Sequence, residues 1–152
     1  MVYPLYPIVL LALLAPAIAA AQPSSRYGVV AGYHGMSHHY MEFGGGLVTP
    51  TRGRKGVVGN SLSAEVKMLD GVVLGGTYSV WTSANPLAAG FSLSYYNDLE
   101  GNGSLRFRPE VGLGLGGVRI VYGFSITLTG RELTAVNRHD VALRAFVPLT
   151  SH

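Results

Sequence analysis

Cysteine is absent from this 152-residue chain, which excludes a disulfide framework and any thiolate metal centre. Charge is scarce: Asp, Glu, Lys and Arg make up 12% of residues, about half the share usual in a soluble globular domain. The formal net charge of +3 is small and scattered, so no nucleic-acid partner is expected. The 21 glycines follow no Gly-X-Y period and accompany no proline-rich tract, which excludes collagen and low-complexity readings. After residue 21 no apolar run approaches the length of a membrane-spanning helix. The length fits a single domain.

What is present begins with an apolar stretch, residues 8–21, IVLLALLAPAIAAA. It is short for a span, is interrupted by Pro16, and ends in small residues that fit an Ala-x-Ala cleavage pattern. It reads as a secretory signal peptide over residues 1–21, cut before Ala20 or Gln22, although MVYPLYP lacks the customary basic residue. Residues 22–152 then form the mature domain, and the localisation expected is beyond the cytoplasm.

From Arg26 onward the apolar pattern has a period of two, the signature of strands with two unlike faces. Eight segments follow it: 27–34, 40–47, 62–69, 72–81, 87–96, 105–114, 118–128 and 141–149. Asp70-Gly71 is a hairpin signal, Asn85-Pro86 a turn signal, and NDLEGNG a loop. The basic, glycine-rich stretch TPTRGRKGVVGN, residues 49–60, lacks a phosphate-cradling motif and reads as a solvated connection. Pro109 and Pro148 each remove a ladder donor, so each is expected at a bulge or a strand end.

The two faces differ in chemistry. One carries Leu, Val, Ile, Phe, Met and Ala, with no charge in any segment. The other is mostly Gly, Ser, Thr and Tyr, with Glu42, Glu65 and Glu110 set against Lys67, Arg106, Arg108, Arg119 and Arg144, and His34 nearby. Small residues suit the narrow bore of an eight-stranded barrel, and water would expect many more charges on an outward face. The alternation therefore predicts an all-β fold, an eight-stranded antiparallel up-and-down transmembrane barrel, with lipid outside and a lumen charge network inside. Tyr27, Tyr33, Tyr78, Tyr95 and Tyr122 are candidates for interfacial girdles.

In strand count, alternation and the Arg/Glu inner face of RFRPEVGLGLGG and VRIVYGFSITLTG, residues 26–149 resemble the small outer-membrane barrel proteins of Gram-negative bacteria, the OmpA/OmpX-like group. The resemblance implies a cell outer membrane location, contact with outer-membrane lipid and the barrel-assembly machinery, a monomer, and no cofactor. The ending AFVPLTSH departs from the terminal aromatic usual in that group. With both termini in the periplasm, GMSHH, Asp70-Gly71, NDLEGNG and TGRELTAVNRH are expected to face the exterior.

The function expected is a non-enzymatic structural or surface-interaction role with a side-chain-filled lumen rather than an open, porin-like channel. Two alternatives stand beside it. One is a lipid A-modifying deacylase or acyltransferase, with Ser37 as nucleophile, His34 or His39 as base and Glu42 as orienting acid. The other is a soluble lipocalin-like periplasmic carrier. Metal binding by His34, His38 and His39 is disfavoured because successive strand positions point apart, so no metal is expected.

Overall fold

The computed structural model of the protein describes residues 25–51, 56–67, 71–115, 117–130 and 132–149. The expected signal segment, residues 1–21, lies outside the described residues. The described chain contains no helix and folds as β1 (Arg26–Gly35), β2 (His39–Pro50), β3 (Gly56–Lys67), β4 (Leu74–Ala84), β5 (Leu87–Asn97), β6 (Gly103–Leu115), β7 (Val118–Phe124), β8 (Ile126–Gly130) and β9 (His139–Pro148).

Each strand pairs antiparallel with its sequence neighbour from β1 through β7, β7 pairs with β9, and β9 pairs back onto β1. The sheet is thereby closed into a barrel through β7, while among the described residues β8 pairs only with β6 and leaves a short unpaired edge on its other side. Both β7 and β8 pair with β6, so they are two parts of one strand broken at Ser125, and the fold is an eight-stranded antiparallel up-and-down barrel.

Proline explains the break. Pro109 lies in the middle of β6 opposite Phe91 of β5, yet neither Arg108 nor Pro109 has a partner on the β7/β8 side. The missing N–H of Pro109 coincides with the gap in the neighbouring strand, where the Ser125 amide turns instead to the Arg138 carbonyl at 2.7 Å. The expected bulge or strand end is therefore corrected to an interruption across the ladder. A separate register shift falls at Leu105/Arg106. Pro148 does end its strand.

Two connections differ from the sequence reading. Residues 56–60, read as loop because of their glycines, are the first turn-free stretch of β3, which shortens the connection after β2 to a few residues. Gly59 is required there, because a Cβ would come within 2.4 Å of the Trp81 ring. We expect Gly59→Val to displace that ring at a cost of about 1–3 kcal/mol. Chemical unfolding and the emission of the single tryptophan would measure it. The β3–β4 connection is wider than a two-residue Asp-Gly turn: the strands end at Lys67 and resume at Leu74, closed by the Lys67 amide on the Val73 carbonyl at 3.0 Å, with Gly71 at φ +96°. Asn85-Pro86 forms the turn expected of it.

The distribution of side chains is inverted relative to a water-soluble domain. Leu62, Leu87 and Val111 each expose 60% or more of their surface, and Phe43, Leu113, Ile120 and Val147 more than half. Leu47, on the same outward face, is buried. Meanwhile Glu42, Glu65, Arg106, Arg108, Arg119 and Arg144 are all buried. Small inner residues make room for them: Ser61, Ser63, Thr77, Ser79, Ser92 and Ser94 are buried in the same lumen. Of the tyrosines, Tyr33 and Tyr95 lie near the loop ends of their strands and Tyr27 near the opposite end, whereas Tyr78 pairs with Leu62 and Leu93 in mid-strand, away from either rim.

Candidate functional site

The middle of the lumen is an ion-pair network assembled from five strands. Arg144 on β9 donates from Nε to Glu42 on β2 at 2.6 Å and from Nη1 to Glu110 on β6 at 2.5 Å. Arg108 on β6 donates to Glu110 at 2.9 Å and to Glu65 on β3 at 3.2 Å, and lies 3.4 Å from Asp140 on β9. His34 on β1 stands between Glu42 at 2.6 Å and Asp140 at 2.7 Å. Ionised carboxylates only accept hydrogen bonds, so both ring nitrogens donate and His34 acts as a third cation.

Neutral hydroxyls complete the carboxylates. Ser63 donates to Glu42 at 2.6 Å, Thr77 to Glu65 at 2.8 Å, Tyr96 to Glu65 at 2.5 Å and Ser92 to Glu110 at 3.0 Å. Such saturation is what allows charges to be held away from water.

The eight charges expected in the lumen are all buried, but Arg106 and Arg119 pair with no carboxylate among the described residues. Arg106 turns to the loop end, donating to the Leu133 carbonyl at 2.9 Å and the Val136 carbonyl at 3.3 Å. Arg119 stacks over Trp81, 3.6 Å from the ring centre. Lys67 is buried near the loop end of β3. The pairing expected of five cations with three anions is thus corrected: Arg108, Arg144 and His34 serve four carboxylates. The fourth, Asp140, escaped the sequence reading because the last strand was started at Val141; extending the alternation back to His139 would have placed Asp140 inward.

The segment between β8 and β9, expected only as an exterior loop, folds back over the barrel. Leu133 and Val136 turn inward and pack with Tyr40, Val73 and Tyr96, covering one end of the barrel. Tyr40 donates to the Ala135 carbonyl at 2.6 Å, and Asn137 exchanges two hydrogen bonds with the His38 backbone at 2.9 and 2.7 Å. We expect Asn137→Ala to cost about 1–3 kcal/mol, read as faster hydrogen exchange confined to residues 132–138.

The residues weighed for catalysis are only partly brought together. His34 and Glu42 are in contact inside the lumen, while His39 is paired with the Tyr33 hydroxyl on the outward side. Ser37 lies at the hairpin tip, lining a surface cleft of about 320 Å³ with His38, Glu132, Thr134 and Arg138. The hydroxyl near the His34–Glu42 pair is Ser63, which donates to Glu42 and leaves no imidazole nitrogen to activate it. His38 bonds the Thr134 carbonyl, so His34, His38 and His39 do not converge on one point. The ligand atoms of His34, Glu42 and Glu65 do lie within 4.8 Å of one another, but both carboxylates are engaged by guanidinium groups that a metal cation would have to displace.

No protein-family model, curated protein or solved structure matches this chain. The class of protein that fold and lumen define is a small closed eight-stranded β-barrel with a charged interior.

Proposed function

We propose that the chain is a bacterial outer-membrane β-barrel protein of OmpA/OmpX-like architecture, exported by a cleaved signal peptide, with a structural or surface-interaction role rather than that of an enzyme or an open porin. One observation carries this reading: the large aliphatic and aromatic side chains face outward and are exposed, while arginines and carboxylates are buried around the axis. Hydrocarbon is the solvent for which that inversion is stable. Strands of 10 to 13 residues, as in β1 and β6, match the about 9–11 tilted residues that cross a bilayer. The crowded lumen favours a plugged barrel over a conducting one, and the capped end presents the loops.

Membrane-pellet fractionation with heat-modifiable migration in detergent gels tests the placement, and planar-bilayer recording tests the lumen. The reading predicts pelleting, a faster-migrating unheated form and no large stable conductance. Recovery in the aqueous fraction after detergent-free lysis would instead indicate the soluble carrier, and steady porin-like currents would overturn the plugged lumen.

A further inference from the structure

Among the described residues the lumen buries more cations than carboxylates, and one of these cations, Arg119, stands apart from the ion-pair network. Its buried cations are Lys67, Arg106, Arg108, Arg119 and Arg144, joined by His34 held between two carboxylates; its buried anions are Glu42, Glu65, Glu110 and Asp140. Glu42 and Glu110 are engaged by Arg144, Glu65 and Glu110 by Arg108, and Asp140 by His34. The other acidic residues among those described, Asp98, Glu100 and Glu132, fall in connections at the opposite, loop end.

Arg119 is therefore left without a carboxylate among the described residues. Its cross-strand partner is Arg144, and like charges directly opposite one another are destabilising. Other buried donors on the inner face also lack acceptors. Trp81 Nε1 and Arg144 Nη2, which can only donate, and Ser61 Oγ are buried with no partner among the described residues. Trp81 lies under the Arg119 guanidinium. Ser61 is two residues along β3 from Gly59, the cross-strand partner of Trp81. The remaining unpartnered buried atom, Asp140 Oδ1, is an acceptor and belongs to the His34 side.

We infer that the lumen binds a small monovalent inorganic anion, chloride in the natural setting, between Arg119 and Arg144, with Trp81 Nε1 and Ser61 Oγ as further donors. An anion there separates two facing guanidinium groups and gives the orphaned donors an acceptor, which a buried polar group requires. The inference stands on the lumen geometry and holds in either compartment, so its failure and that of the membrane reading are separable.

Trp81 is the only tryptophan, so its emission reports the site directly. The full-length protein, folded in detergent micelles in chloride-free buffer at constant ionic strength, is titrated with iodide and then with chloride. The result expected is saturable quenching that chloride reverses, with R119Q weakening the saturable phase tenfold or more. Ser61→Ala, a small change, weakens it several-fold and serves if R119Q does not fold. A strictly linear iodide response insensitive to chloride in the wild-type protein, or a saturable response unchanged in both variants, overturns the site.

Discussion

Replacing Arg108 with methionine is expected to remove about 3–5 kcal/mol of stability, the usual cost of leaving buried charges without their partner. The size follows from the three carboxylates around this one guanidinium, Glu65, Glu110 and Asp140. Glu110 would keep Arg144 and Asp140 would keep His34, but Glu65 would keep only the Tyr96 and Thr77 hydroxyls. Adding Glu65→Gln to Arg108→Met should therefore recover part of the loss, with a coupling of about 0.5–3 kcal/mol in a double-mutant cycle. Urea unfolding in micelles measures all four proteins. A single variant within about 0.5 kcal/mol of wild type would match a solvated surface charge and contradict the buried network.

The second large effect belongs to the opposite face. Leu62 stands in the middle of β3 and is 60% exposed. If that face meets hydrocarbon, Leu62→Arg should cost about 2–4 kcal/mol when the protein folds into lipid vesicles. If it meets water, the same change should fall within about 0.5 kcal/mol. Glu100→Arg, in the loop after β5, is the control expected to change little in either case. The comparison decides the solvent of the outward face without any knowledge of a ligand.

The fold was legible because period-two alternation is a local property. A segment such as 87–96, with Leu87, Phe91 and Tyr95 opposite Ser92, Ser94 and Tyr96, declares both its conformation and its two faces without reference to the rest of the chain. Gly59 was misread for the opposite reason: nothing local shows that an indole from the next strand occupies the space of its missing side chain. The charged residues of the lumen, Asp140 apart, were equally plain from parity, but partnership is set by the tilt of strands around a bore. Arg106 and Arg119 therefore looked like candidates for Glu42 or Glu65 when they lie nearer opposite ends. The capping segment 132–138 follows no period at all. Its inward turn depends on carbonyl oxygens that Arg106 and Tyr40 reach, and backbone acceptors leave no mark in a sequence.

The pairing of β9 with β1 has a consequence for assembly. Gly28 lies against Pro148, so the seam that completes the cylinder joins segments from the two extremes of the barrel sequence. Contacts so distant along the chain must await the whole polypeptide, and they make acquisition of the native state slow. Until that seam zips, every intermediate carries two raw margins of unsatisfied amides and carbonyls, and no truncated set of strands can retain the charged interior. The barrel is cooperative by construction: it exists as a complete ring or not at all.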